Sequence, residues 1–256
     1  MSLKKLDSKD YEFITDEFES VDQIFKIAIL GYEFVGKTCL VQNALENNFT
    51  TDYKSTVGYD FSNLKIKFKD TKMKFIIWDI TGKENIRNLT NSSLKNTNLA
   101  ILVYSIDNKK SFEYIDKVYK ELKSQSDSCK DVILVGNKAD LDEKREVTYE
   151  EGQKKCENET DFKQFLECSA KEGTNIKEIF VEAANLLYNE SVNEHGAKNT
   201  GEEKISLNSD NKEDLDYDDE EEDNNNIKND EDLNKSHNEE EKSKKAKKKC
   251  CCCHLI

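Results

Sequence analysis

The sequence predicts an α/β domain with a mixed, mostly parallel six-stranded sheet and helices on both faces. Two observations carry that prediction. Apolar runs at residues 25–30, 99–106, 132–135 and 165–168 alternate along the chain with segments of helical periodicity, the order that builds a parallel sheet. One pair breaks the alternation. Leu64, Ile66 and Phe68 interleave with Lys65, Lys67 and Lys69, as in an edge strand with one wet face, and a turn at Asp70 and Thr71 leads into the apolar run at 75–78, so the two read as a hairpin.

The first strand, 25–30, runs straight into Gly31, and residues 38–47 then read as a helix. After the strand at 99–106, Ser111 is the expected cap of a helix that puts Phe112, Ile115, Val118, Tyr119 and Leu122 on one face. Thr148 and Glu151 form the capping box of another helix, and Asn175 with Glu178 opens a last one, whose stripe is Ile176, Ile179, Phe180, Ala183 and Leu187. The organisation is an N-terminal extension (1–20), a folded domain (21–190), an acidic then polybasic tail (191–249) and a cysteine-rich terminus (250–256). Tyr11, Ile14, Phe18 and Val21 fall at helical spacing, which reads as a strap on the domain itself or as a partner-binding helix. Residues 193–241 have too few apolar side chains to offset the entropy of ordering them and read as disordered.

Charge narrows the function. The net charge of −14 resides in residues 202–241, where 18 Asp and Glu stand against 4 Lys; the rest is balanced, so nothing in the folded part calls for nucleic acid as a partner. All three histidines, His195, His237 and His254, lie in the tail, which disfavours a triad hydrolase or a zinc enzyme. Cys39, Cys129, Cys156 and Cys168 have no metal-ligand or disulfide spacing. With no apolar run near the roughly 20 residues of a membrane span and no signal-peptide core, the expectation is a reduced, cytosolic protein.

Four motifs carry chemistry. Gly31-Tyr-Glu-Phe-Val-Gly36-Lys37-Thr38 fits a phosphate loop between a strand and a helix. Its backbone N–H groups would face phosphate, Lys37 would reach the β and γ phosphates and Thr38 would hold Mg²⁺. Asp79-Ile-Thr-Gly82 follows a strand about 40 residues later and supplies a carboxylate on the metal side. Asn137-Lys138-Ala139-Asp140 follows another strand, and a carboxylate there can accept from the N1 and N2 donors that guanine has and adenine lacks. Cys168-Ser169-Ala170-Lys171 closes the last strand. Each alone could be an ordinary turn or polar loop.

Together with Thr56 in Thr56-Val57-Gly58, these segments resemble, in order and spacing, the five guanine-nucleotide motifs of the Ras superfamily of small GTPases, over about residues 25–189. Val57-Gly58-Tyr59-Asp60-Phe61, Lys74-Phe75-Ile76-Ile77-Trp78 and Leu102-Val103-Tyr104-Ser105-Ile106 are most similar to the Rab branch. The resemblance implies the P-loop NTPase small G domain, GTP/GDP and Mg²⁺ as cofactors, and a switch in vesicle-mediated trafficking. It implies Thr38, Thr56 and Asp79 at the metal. Around the nucleotide it implies Gly31, Glu33, Phe34, Val35, Gly36, Lys37, Cys39, Phe49, Tyr53, Gly82, Asn137, Lys138, Asp140, Ser169, Ala170 and Lys171. Within that set Phe49 would stack near the base, Gly82 N–H would meet the γ phosphate, and Ala170 N–H would donate to guanine O6. Loss of the γ phosphate would release residues 50–61 and 81–92, through which effectors, an exchange factor and a GTPase-activating protein would act.

Two positions depart from the family. Lys83 stands where a glutamine usually orients the attacking water, and lysine has no acceptor for it. Glu33 and Phe34 replace small residues, and Glu33 would put a carboxylate near the γ phosphate. The expectation is slow hydrolysis, with Lys83, Thr56 and Gly82 around the reaction; the alternative is a hydrolysis-deficient GTP-binding scaffold. A Glu33–Lys83 pair is one arrangement that would neutralise both charges. At the C-terminus, Lys242, Lys244, Lys245, Lys247, Lys248 and Lys249 precede Cys250 to Cys253, a basic cluster beside lipid-accepting cysteines. The ending is similar to double-cysteine Rab termini, implying geranylgeranylation of Cys252 and Cys253, a prenyl transferase escort, a GDP dissociation inhibitor and the cytoplasmic face of an intracellular membrane. Cys253-His254-Leu255-Ile256 makes a poor C-a-a-X box.

Overall fold

Alternation along one hairpin organises the sheet. In a computed structural model, which describes residues 10–14, 20–46, 58–82 and 94–198, Leu64, Ile66 and Phe68 turn inward with 6%, 0% and 0% of their surface exposed while Lys67 between them is exposed. The elements run β1 (Tyr11–Phe13), β2 (Gln23–Gly31), α1 (Lys37–Glu46), β3 (Tyr59–Phe68), β4 (Thr71–Ile80), β5 (Leu99–Ser105), α2 (Lys109–Gln125), β6 (Asp131–Asn137), a 3₁₀ helix (Ala139–Lys144), α3 (Tyr149–Asn158), β7 (Phe162–Glu167) and α4 (Ile176–Lys198). Every strand and helix expected from residue 25 onward is present. The hairpin turn sits one residue earlier than expected, at Lys69 and Asp70, with Phe68 paired to Thr71 and Lys69 at φ 52°.

The sheet has seven strands, in the order β1-β3-β4-β2-β5-β6-β7, where six were expected. The seventh is β1, in the extension that read as helical. Tyr11 and Phe13 are two residues apart, so an extended chain puts both rings on one face, against the core; the free edge of β3 completes the pairing, with Phe13 opposite Ile66. Ile14 N–H donates to Lys65 O at 3.1 Å and Lys69 N–H to Asp10 O at 2.6 Å. The strap reading survives in this form, and β3 is not an edge over residues 66–68. Phe18 lies outside the described residues.

β4, β2, β5, β6 and β7 are mutually parallel, and β3 is antiparallel to both of its neighbours, β1 and β4. Two apolar layers flank the sheet. Ile27, Ile29, Phe75 and Ile77 meet Leu40 of α1 and Ile179, Phe180, Ala183 and Leu187 of α4 on one face; Ala28, Leu30, Leu102 and Tyr104 meet Phe112, Ile115, Val118 and Leu122 of α2 on the other. β5 is buried along its whole length, as a central parallel strand must be. Because the chain passes from β2 to β3 and β4 on one side and then crosses from β4 to β5 on the other, the carboxyl ends of β2 and β5 open a crevice for ligand.

Local signals were read with mixed success. The Thr148–Glu151 capping box forms in both directions. α2 is capped by Asn108, which accepts from Ser111 N–H; Ser111 lies in the first turn, its hydroxyl donating to Asn108 O at 2.6 Å and accepting from Ser105 N–H at 3.0 Å. Asn175, at φ 57°, precedes α4 but donates to Glu167 O at 2.7 Å instead of capping. No described helix is long and apolar enough to cross a membrane.

Removing residues 1–14 should uncover Phe68 and Ile66 and lower stability by roughly 2 kcal/mol, the scale of two partly buried aromatic rings. Urea unfolding measures it; an unchanged midpoint would mean that β1 adds no stability.

Candidate functional site

The phosphate loop is shaped by contacts that admit only glycine. At Gly31, where β2 ends at φ 151°, a Cβ would fall 2.0 Å from the Val103 carbonyl oxygen of β5; at Gly36, φ 92°, it would fall 2.4 Å from Asn137 Nδ2. Between them Val35 is buried and anchors the loop, and Phe34 takes φ 61° with its side chain 59% exposed. Lys37 is buried, its ammonium donating to Tyr32 O at 2.7 Å and Gly31 O at 3.3 Å, so the cation lies inside the curl of the loop. α1 begins at Lys37, so its N-terminus, with the positive end of the helix dipole, points into that curl and favours an anion there.

At the end of β4, Asp79 accepts a short hydrogen bond from the Thr38 hydroxyl. Two hard oxygen donors, one from the first turn of α1 and one from a buried strand end, fit Mg²⁺, which takes few protein ligands and keeps waters and phosphate oxygens for the rest. Gly82 is pressed against the loop from the other side: a Cβ there would lie 2.4 Å from Glu33 N and 2.5 Å from the Tyr32 carbonyl. Cys39, half-buried beside them, is kept protonated as burial and then the Asp79 charge push its thiol up.

The two loops expected to read the base meet over Asn137, which is 1% exposed. Asn137 Nδ2 donates to Val35 O at 2.8 Å, and Asn137 Oδ1 accepts from Ala170 N–H at 3.0 Å and from the Cys168 thiol at 3.4 Å. Burial pushes that thiol far up, so it is a neutral donor. Asp140 accepts from the Ser169 hydroxyl at 2.6 Å and faces the Lys171 ammonium at 3.7 Å, which aims its carboxylate beside the crevice. Lys138, at φ 65°, lies 3.6 Å from Asp107 at the end of β5.

Gly31, Glu33, Phe34, Val35, Gly36, Lys37, Thr38, Cys39, Asp79, Gly82, Asn137, Lys138, Asp140, Ser169, Ala170 and Lys171 thus gather at the carboxyl edge of the sheet and its adjoining loops. The Ala170 N–H, expected at guanine O6, donates here to Asn137 Oδ1 and so links the two loops. Thr56, Phe49, Tyr53, Lys83, Cys252 and Cys253 lie outside the described residues, and the Glu33–Lys83 pair with them.

Residues 26–189 match the model of the Ras family. The chain belongs to the Ras family. The matched span starts in β2 and ends in α4, so it contains every described motif of the site. A Ras-family domain is a small GTPase switch that binds guanine nucleotide, and the crevice fits that ligand: a loop and helix N-terminus for phosphates, Thr38 and Asp79 for magnesium, Asp140 for the base. Magnesium, when bound, neutralises charge on the β and γ phosphates.

Sequence reasoning missed several residues that this Ras-family site uses. Arg145 closes the 3₁₀ helix after Asp140 and grips Glu167, the residue before Cys168, with Nη1–Oε1 at 2.6 Å and Nη2–Oε2 at 2.9 Å, while its Nε donates to Asp142 at 2.7 Å. Asn43 of α1 donates to Ala170 O at 3.2 Å. The one signal for the pair was adjacency: an arginine just past one base motif and a glutamate just before the other.

Asn137→Ala would leave Val35 O and Ala170 N–H unpaired in a buried place. At about 1–3 kcal/mol per orphaned group, guanine nucleotide should dissociate about 10- to 100-fold faster, and the melting temperature should fall. Nucleotide release followed by fluorescence checks it; an unchanged rate would remove Asn137 from the site.

Proposed function

We propose that this Ras-family GTPase is a Rab-like GTP/GDP switch in vesicle-mediated membrane trafficking, with intrinsically slow hydrolysis. The observation that carries the reading is an aromatic face on the β3–β4 hairpin. Phe61 is 62% and Tyr59 47% exposed, and their rings stand 6.4 Å and 4.8 Å from that of Trp78, over which Lys26 places its ammonium at 4.2 Å. An exposed aromatic cluster is the usual anchor of a protein interface. This one lies on the strands that join residues 50–57 to residues 83–92, so a partner seated on it would sense whether those segments are held by a γ phosphate.

Lys83 in the glutamine position supports slow turnover, with a GTPase-activating partner supplying the missing groups. Prenylation of Cys252 and Cys253, with the lysine cluster before them, would hold the switch on the cytoplasmic face of an intracellular membrane and make it a client of a prenyl transferase escort and a GDP dissociation inhibitor.

Single-turnover hydrolysis of preloaded GTP tests the catalytic half. The rate should be slow, and Lys83→Gln should raise it by at least about tenfold, or 1.4 kcal/mol of barrier. Equal rates would deny that position its role; no hydrolysis in either form despite tight GTP binding would favour the scaffold. For the anchor, replacing both Cys252 and Cys253 by Ser should move the protein from the membrane to the soluble fraction of expressing cells.

A further inference from the structure

Outside the four motifs, one more carboxylate stands at the carboxyl edge of the sheet. Asp107 lies two residues past the end of β5 and one before Asn108, the cap of α2. Its Oδ1 accepts a short hydrogen bond from the Ser105 hydroxyl and stands 3.6 Å from the Lys138 ammonium. Ser105 is 1% exposed and is itself held, since its N–H donates to Ser111 Oγ at 3.0 Å. The carboxylate is therefore aimed by a buried strand end.

The backbone of Lys138 is fixed as well. It takes φ 65°, and the peptide groups on either side are tied to neighbouring segments: Asn137 O accepts from Ile106 N–H at 3.0 Å, and Ala139 N–H donates to Cys168 O at 2.9 Å. β5 and β6 are adjacent, with Ser105 opposite Asn137. With its backbone at the end of β6 and its ammonium at Asp107, the four-carbon stem of Lys138 runs from one strand end to the next along the crevice. Lys138 follows Asn137, which bonds the phosphate loop at Val35 O, and precedes Asp140 by two residues, so the stem occupies the stretch between the phosphate end and the base end. A row of methylenes there offers an apolar surface to the flat face of a purine or to a ribose.

We propose that Asp107 is a positioning residue of the nucleotide site: by holding the Lys138 ammonium at the end of β5, it keeps the Lys138 stem laid along the crevice for the nucleoside. The proposal rests on the guanine-nucleotide reading of the crevice. A free lysine side chain has much rotamer freedom to lose when a ligand orders it, and the ion pair removes part of that loss beforehand. The pair is partly exposed, at 32% for Lys138 and 21% for Asp107, so its effect is a change of a few-fold in nucleotide retention and not a loss of fold. Because the stem meets the nucleoside and not the γ phosphate, GTP and GDP are affected alike. A carboxylate that acted only through its own charge would repel both nucleotides, and its removal would slow their release.

The test measures release of radiolabelled GDP and of a non-hydrolysable GTP analogue from the full chain with Mg²⁺, for the native protein, Asp107→Ala, Asp107→Asn, Lys138→Met and the double variant of Asp107→Ala with Lys138→Met. Asp107→Ala should release both nucleotides about threefold faster. Asp107→Asn keeps an oxygen for the Ser105 hydroxyl and the Lys138 ammonium, and should restore part of the native retention. Lys138→Met, with an apolar stem and no ammonium, should also release both faster, and in that background Asp107→Ala should add nothing. Salt at about 1 M should narrow the gap between the native protein and Asp107→Ala. Unchanged or slower release from Asp107→Ala would overturn the proposal. So would the same acceleration in the Lys138→Met background as in the native one, because Asp107 would then act without Lys138. A native protein that holds neither nucleotide would overturn the guanine-nucleotide reading itself.

Discussion

The Asn137 carboxamide touches three segments that are far apart in sequence: Val35 of the phosphate loop, Ala170 and Cys168 of the last loop, and its own strand end on β6. Each contact is buried, and each would leave an orphaned polar group if the side chain were apolar. The phosphate loop is therefore positioned by the loop that meets the base. Gly36 is part of the same constraint, since a Cβ there would occupy the space of Asn137 Nδ2. Phosphate binding and base binding share one mechanical element, and a change at either end of the crevice is felt at the other.

Around that element the site is built from backbone. The Gly31 and Gly82 contacts bring β5 and the end of β4 within van der Waals distance of the loop, and α1 aims its N-terminus into it. Side chains then add charge and hard oxygens: Lys37 inside the curl, Thr38 bonded to Asp79, and Asp140 held by Ser169 and Lys171. A cradle of strand ends and N–H groups needs little reorganisation when an anion arrives, which favours tight binding.

Much of what has a local cause was legible in the sequence. The parallel sheet, the hairpin and the helical stripes follow from periodicity, and the phosphate loop from glycine and lysine spacing. β1 was misread because Tyr11, Ile14, Phe18 and Val21 suit a helical period while Tyr11 and Phe13 suit a strand, and the choice is made by a free edge at Ile66–Phe68 that local sequence does not display. The cap of α2 was misplaced from Asn108 to Ser111 because both residues are good caps three positions apart. The contact of Ala170 N–H with Asn137 could not be read from sequence, since its acceptor is 33 residues away. Arg145–Glu167 is likewise a contact between elements, with no periodic signature to betray it.

Arg145 shows why such contacts matter to the crevice. Its guanidinium is spent on Glu167, Asp142 and the Val147 carbonyl, and with the Arg145 side chain 22% and the Glu167 side chain 13% exposed the pair is partly withdrawn from water. Removing one partner would strand the other charge, a larger penalty than the pair's own net contribution. Lysine in place of Arg145 could not supply the planar fork that the two Glu167 oxygens meet. Through Glu167, whose carbonyl also takes the Asn175 amide, this fork sets the distance between the loop that bears Asp140 and the loop that bears Ser169. Asn137 fixes that distance from inside the crevice and Arg145 from outside. A carboxylate held between two such braces has little freedom to turn toward a different donor pattern, the property that selecting guanine over adenine would require.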